Sequence, residues 1–382
     1  MVKKLEDSKS EMIVCNLAGY CTVECPSRTV MHFSSYSARG RLVLCELLLR
    51  GRVEPTTELR DRLQTCTTCR RCDETCPSDV EQYEMIERAR AYLIEKGVPP
   101  PEQFIPAFEN IMKKDNVLGI DQSKRVELVK EINPTSDQSD TLLWMGCMFS
   151  YRYPEIAKTV GAILNAAGYD YMMLSDKETC CGDPLKMIGM YPEFEEIAKR
   201  NLDLFNELEI KRIVSPCPMC TKALGHSYEE SFGETSIEVL HIAQVYDQLI
   251  KEGKLKYTAK VPLSLTYFDP CHLGRHLKVY DPPRAVLKAV PGLQYADIPE
   301  YNRENNWCCG GAVRIGYVNT AVSVSEEAIA KIEKGGFEAV VTACPQCYPS
   351  LQFATFDTKV YDINEIVAAA MGIKELGSGF VE

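Results

Sequence analysis

The sequence predicts a mixed α+β and α/β chain, with a helical, cysteine-rich module followed by two α/β lobes related by a pseudo-twofold axis. Three observations carry this expectation. The 18 cysteines of the 382-residue chain fall mostly in tight groups, eight of them before residue 77. The remainder repeats itself, since cysteines at 147, 180, 181, 217 and 220 recur at 271, 308, 309, 344 and 347. Within each copy, short β-favouring runs alternate with stretches of helical apolar spacing.

In chain order, residues 1–99 form the N-terminal module. Its segment 37–49 has apolar residues at helical spacing, and 81–95 reads as a second helix stopped by Gly97 and Pro99-Pro100-Pro101. Residues 100–138 are a connector with a weak helical pattern at 108–112 and 126–132, closing on Asn133-Pro134. Copy one spans 139–255 and copy two 256–382. Each opens on a strand that runs into a cysteine, 141–147 or 263–271. A helix follows (155–167; 283–290), then Gly168 or Gly292 and a second short strand. After the double cysteine come a long helix (194–208; 319–335) and a strand (212–215; 339–343) that leads into Cys-Pro-x-Cys.

Composition bounds the function. Hydrophobic residues at 45% and charged residues at 25% are the mix of a globular protein. No apolar run approaches the ~18–20 residues that span a bilayer. The start, Met1-Val2-Lys3-Lys4, has no apolar stretch behind its lysines, so a secretory signal is not expected and a cytoplasmic location is. A net charge of −11 argues against nucleic acid as a partner. In a reducing compartment these cysteines are metal ligands rather than a disulfide framework.

Residues 66–77 read C-x2-C-x2-C-x3-C-P, the ferredoxin run that aims three thiolates, Cys66, Cys69 and Cys72, at one [4Fe-4S] cubane while the fourth, Cys76, serves a second cluster. A zinc ribbon lacks this triple spacing. By the same logic Cys25 completes the first cube, and Cys76 joins Cys15 and Cys21. Ala18 stands where that second set needs its fourth cysteine. Four outcomes are open: a [3Fe-4S] cluster, a cube with a non-cysteine or solvent ligand, completion by Cys45, or loss of the cluster. Cys45 also reads as an ordinary buried helix cysteine. Arg70 and Arg71, inside the intact run, are expected to raise the local reduction potential.

Each later copy holds five cysteines: Cys147-x32-Cys180-Cys181-Gly182-x34-Cys217-x2-Cys220, and Cys271-x36-Cys308-Cys309-Gly310-x33-Cys344-x2-Cys347. Five thiolates exceed what one tetrahedral zinc or one regular cube uses. Adjacent cysteines point apart unless the backbone is distorted, which Gly182 and Gly310-Gly311 permit. A thioredoxin-like dithiol in each Cys-Pro-x-Cys competes with this reading but leaves the double cysteines unexplained.

The doubled pattern resembles the CCG signature of the catalytic subunit of heterodisulfide reductases. With a two-cluster ferredoxin module ahead of two CCG lobes, nearly the whole chain resembles the D-type catalytic subunit of the membrane-linked enzyme. The resemblance implies that each five-cysteine set binds a noncubane [4Fe-4S] cluster and that a disulfide is reduced, or a dithiol oxidised, between them. It also implies an electron partner, a membrane cytochrome b or a flavoprotein, and a cytoplasmic chain held at the membrane through that partner. Relatives in sulfite-reduction-linked and glycolate or lactate dehydrogenase complexes give the second reading, an electron-transfer component with no disulfide substrate of its own. A zinc-stabilised interaction module is a third.

An anionic substrate needs cations near the sites. His272, Arg275 and His276 follow Cys271, Arg314 follows the second double cysteine, and Lys222 and His226 follow Cys220. Each reads equally as a solvated charge or a satisfied structural histidine. No G-x-G-x-x-G fingerprint follows a strand, so no flavin or nicotinamide is expected on this chain.

Overall fold

The computed structural model describes residues 3–377; the outermost predicted limits, 1–2 and 378–382, lie outside the described residues. The N-terminal module is helical. Ser37 caps the Ala38–Leu49 helix by accepting from the Gly40 N–H at 3.0 Å. That helix buries Leu42, Cys45 and Leu48 against Leu63 and against Met85, Ile86 and Ala89 of the Gln82–Glu95 helix. Shorter helices, among them Pro26–Met31 and Thr57–Gln64, are not announced by the apolar spacing.

Lobe one holds three parallel strands, β1 (Thr141–Leu143), β2 (Arg212–Ser215) and β3 (Glu238–His241), in that order. Lobe two holds four parallel strands, β4 (Ser264–Phe268), β5 (Gln294–Tyr295), β6 (Ala339–Thr342) and β7 (Lys359–Asp362), in the order β5-β4-β6-β7. The predicted second strand of lobe one is reduced to one bridge, Leu142 to Met172, at the place β5 occupies in lobe two. With that bridge counted, the two sheets have the same order. The near-continuous apolar runs of β1, β2 and β6 are those of strands covered on both faces.

Two corrections concern the ends of strands. β1 and β4 stop at Leu143 and Phe268, short of the predicted 147 and 271. The chain turns there and enters wide π-type turns, Met148–Arg152 and His272–His276, just beyond the first cysteine of each set. π-Turns of this kind are frequent at functional sites. β3 and β7, each followed by a helix, were not expected from the repeat.

The pseudo-twofold is visible in the packing. Helix Pro154–Ala166 of lobe one packs on Ile363–Met371 of lobe two, and the equivalents Asp281–Lys288 and Ile242–Lys251 pack on each other. Helix Pro218–Lys222, which follows Cys217, packs on the His272–His276 turn. The connector is not a free tether, because Phe104, Phe108, Ile111, Leu128 and Ile132 belong to the same continuous core as both lobes. Among the described residues no helix is long and apolar enough to cross a membrane.

Candidate functional site

In lobe one the thiols of Cys147, Cys180, Cys181, Cys220 and Cys217 are neighbours in that order, each in hydrogen-bonding contact with the next. Lobe two repeats the run as Cys271, Cys308, Cys309, Cys347 and Cys344, with 3.1 Å between the Cys347 and Cys309 sulfurs. All ten are buried and none forms a disulfide. The glycine after each pair makes this possible. Gly182 (φ 80°) and Gly310 (φ 73°) are left-handed, and a Cβ on Gly310 would meet the Ala321 carbonyl oxygen at 2.5 Å. Their amides turn back to donate to Cys180 Sγ at 3.4 Å and Cys308 Sγ at 3.3 Å.

The donor set fits iron–sulfide assemblies. Contact with Cys180 and burial push the Cys147 thiol well up, and contact with Cys308 and burial do the same for Cys271. Such thiols ionise only beside strong cations, and soft thiolates suit iron. Among the described residues no three His, Cys, Asp or Glu side chains converge as one metal ion needs; the sulfurs form a chain rather than a tetrahedron. Within each Cys-Pro-x-Cys the second sulfur, Cys220 or Cys347, also touches the double cysteine, so neither motif is an isolated dithiol.

The N-terminal cysteines separate into two groups as the spacing requires. Burial pushes the Cys72 thiol well up, and neighbouring Asp73, Cys66, Cys69 and Cys25 add to it. Cys21 has Cys76 and Cys15 as its ionisable neighbours. The structure does not bring Cys45 to that second group. Burial in the apolar core pushes its thiol up to about 12, and its ionisable neighbours are Arg41, Cys66 and Arg90. What reaches Cys21 is Gln82, which is 1% exposed; its side chain hydrogen-bonds the thiol while its Oε1 has no partner.

The charges around the intact run also differ from expectation. Arg70 is paired with Asp73 (3.0 Å) and Glu81 (3.2 Å), and Arg71 with Glu24. Their effect on potential is offset by these carboxylates. Other buried cations at this set include Arg41, with Nη1 3.9 Å from Cys25 Sγ, and Arg90, which donates to the Cys66 carbonyl at 2.9 Å.

The two groups meet the lobes unequally. The Cys69 and Cys308 thiols are in direct contact, so the first ferredoxin set abuts lobe two. Arg275 clamps this junction, donating to the carbonyls of Cys69 and Asn306. His276 Nε2 lies 2.8 Å from the Thr68 carbonyl and its ring stacks on His272 at 4.6 Å. Burial holds both histidines below their usual range, His272 at about 4. Neither is a cation at neutral pH, so of the two readings the sequence left open both take the structural-histidine one, and Arg275 is a structural clamp.

Lys222 and His226 line a charged cavity of about 170 Å³ between the module and the lobes. Lys222 Nζ donates to Tyr83 and Asp183, each at 3.0 Å. Lys186, which the sequence did not single out, pairs with Glu87 at 3.3 Å and Glu230 at 3.0 Å. Burial opposes charge on Glu87, but Lys186 and Lys222 outweigh it and hold the carboxyl down at about 2. Arg314 lies elsewhere, hydrogen-bonded to Ser350 on the wall of a second cavity.

Two known domain families account for this layout. Residues 141–225 and 265–352 match the cysteine-rich CCG domain family, and 11–80 match the 4Fe-4S dicluster domain family. The chain is 30% identical, over 83% of its length and 80% of the relative's, to the D-type subunit of the dihydromethanophenazine:CoB--CoM heterodisulfide reductase of Methanosarcina acetivorans. It is 31% identical to the EtfAB:quinone oxidoreductase of Syntrophomonas wolfei subsp. wolfei, over 80% of this chain but only 46% of that one. A hypothetical protein from Helicobacter pylori shares the fold at a TM-score of 0.52 and 10% identity, covering 98% of this chain and 73% of its own.

Proposed function

The chain belongs to the family of D-type heterodisulfide reductase subunits, which are iron–sulfur oxidoreductases, and from that premise we propose that it passes electrons through its N-terminal clusters and reduces a disulfide, or oxidises a dithiol, between its two five-sulfur sites. Cys25, Cys66, Cys69 and Cys72 hold a [4Fe-4S] cube. Cys15, Cys21 and Cys76 hold a second cluster, a [3Fe-4S] or a cube whose open corner takes a non-cysteine ligand. Cys147, Cys180, Cys181, Cys217 and Cys220 hold one noncubane [4Fe-4S] cluster, and Cys271, Cys308, Cys309, Cys344 and Cys347 the other. Bound iron supplies single-electron steps and an affinity for sulfur. The chain's own residues bury the sulfurs, aim amide donors at them and frame one cavity with the loops of both sites. In the reducing direction the S–S bond breaks, two S–H bonds form, and two electrons and two protons are consumed.

The observation that carries this reading is the contact between Cys69 and Cys308, which joins the ferredoxin set to a complete five-sulfur set. The electron partner is a membrane cytochrome b or flavoprotein, which places the chain at the cytoplasmic membrane face. The quinone-linked relative favours a second reading, an electron-transfer component with no disulfide of its own. Cys181→Ala separates the two when dye-reduced protein is mixed with a disulfide. Loss of thiol release with normal dye reduction of the N-terminal clusters supports the first reading, and full thiol release overturns it.

A further inference from the structure

A cavity of about 430 Å³ is framed by the loops that carry both five-sulfur sites. Lobe one contributes Met148, next to Cys147, and Met219, inside Cys217-Pro218-Met219-Cys220. Lobe two contributes Gly311, just past the double cysteine, and Gln346, inside Cys344-Pro345-Gln346-Cys347. The connector helix Ile105–Lys114 closes another wall with Ala107. The size falls in the ~300–1,000 Å³ range of small-molecule sites. The 170 Å³ charged cavity falls below that range, and its ions are already paired with one another.

The lining of the larger cavity is thioether and hydrocarbon, with side-chain amides, and Arg314 is the one charged residue among those that form it. Arg314 gives one Nη donor to Ser350 Oγ, which fixes the guanidinium at the wall with other donors to spare. A substrate with several charges would lose the hydration of each and find one cation in return. A hydrocarbon body loses nothing there, and methionine sulfurs are soft, adaptable partners for divalent sulfur.

We propose that this cavity takes an aliphatic disulfide or dithiol carrying a single carboxylate, with its sulfurs toward the two five-sulfur sites and its carboxylate on Arg314. This rests on the disulfide reading above and names its substrate class. In the reducing direction the S–S bond breaks, the two electrons come from the protein's reduced clusters, and two protons from water complete the thiols.

The test uses dye-reduced holoprotein and three probes: lipoate, its neutral amide, and oxidised glutathione as the multiply charged disulfide. Thiol release gives KM and kcat, and calorimetry on the oxidised protein gives the lipoate Kd without turnover. Lipoate is expected to have a KM at least about tenfold below that of glutathione disulfide. Arg314→Gln is expected to raise the KM and Kd for lipoate about tenfold, the worth of one charge-assisted hydrogen bond. The amide's KM and the kcat for lipoate stay unchanged, and Arg314→Lys recovers part of the loss. Equal use of glutathione disulfide, or indifference of lipoate to Arg314→Gln, overturns the substrate class and leaves the disulfide reading standing. Reduced clusters with no thiol release from any probe overturn the disulfide reading, and this assignment with it.

Discussion

In lobe two the first sulfur of the double cysteine, Cys308, lies against Cys69 of the N-terminal module; in lobe one the equivalent Cys180 lies against Cys147 and Cys181 of its own lobe. The residue two places before each pair shows the same divergence. Glu178 accepts from the Met145 and Gly146 amides at 3.2 and 2.7 Å, whereas Asn306 donates to the Asp269 carbonyl at 2.8 Å. Both braces hold the loop leading into the first cysteine, with opposite polarity. Their carbonyls also accept an arginine from different places. Arg125 of the connector reaches Glu178, while Arg275 of lobe two and Arg71 of the module reach Asn306. The duplicated sulfur set has been kept and its contacts have diverged: lobe two touches the ferredoxin set and lobe one is braced by the connector, so on the electron path proposed above lobe two is the entry and lobe one the far site.

The largest test of that asymmetry is a matched pair of variants, Cys308→Ala and Cys180→Ala. Cys308→Ala breaks the sulfur contact with the module, so rapid-freeze paramagnetic resonance should show the N-terminal clusters reduced by partner-side electrons while transfer to both lobes falls to background. In Cys180→Ala the entry contact is intact, and lobe two should still become reduced. Equal rates into lobe two in both variants would remove the distinction between entry and far site. A smaller effect is expected from Arg125→Met, which leaves Glu178 buried without its cation. Loss of one partner from a buried pair costs about 3–5 kcal/mol. Hydrogen exchange should rise across 141–215 and stay at the native level in 264–352. Uniform loss of protection would mean that the connector braces both lobes alike.

The spacing of the cysteines made their grouping legible, because iron–sulfur loops constrain sequence separation directly. What the lobes do with those groups depends on contacts between distant segments. Arg125 looks like a solvated charge on a weak helix, yet it is fully buried against Glu178. His272 and Arg275 look like substrate cations until the module closes over them. Cys45 and Gln82 were separable only in three dimensions, since the helix that carries Cys45 turns it into the apolar core with Leu42 and Leu48. Arg41 left a readable trace. It falls between Ala38 and Leu42 on the apolar face of its helix, where a charge is tolerated only with partners, and it has them in Arg62 O, Thr65 Oγ1 and Cys25 Sγ.

The smallest expected effect lies at the caps after β3 and β7. His241 opens the Ile242–Lys251 helix in lobe one, and Asp362 opens Ile363–Met371 at the equivalent place in lobe two. His241 Nδ1 accepts from the Ala243 amide at 3.2 Å, so Nε2 carries the proton and donates to the Pro216 carbonyl at 3.1 Å. Burial holds this ring down at about 4, below its usual 6.5. The folded state therefore binds fewer protons than the unfolded chain, and the contribution is present above pH 6.5 and lost as pH falls toward 4. Asp362 behaves in the opposite sense. Burial, only partly offset by the Asn364 amide, lifts its carboxyl from 3.8 to about 7. Its contribution is present below pH 3.8 and lost as pH rises toward 7. Exchange at the two helices, compared at pH 5 and pH 8, should thus shift in opposite directions: Ile242–Lys251 loosens at the acid end and Ile363–Met371 at the alkaline end. His241→Gln should flatten the first response and Asp362→Asn the second, each without changing iron content. If both helices follow pH in the same direction, the lobes share one electrostatic response, and their divergence is confined to the sulfur junction and its braces.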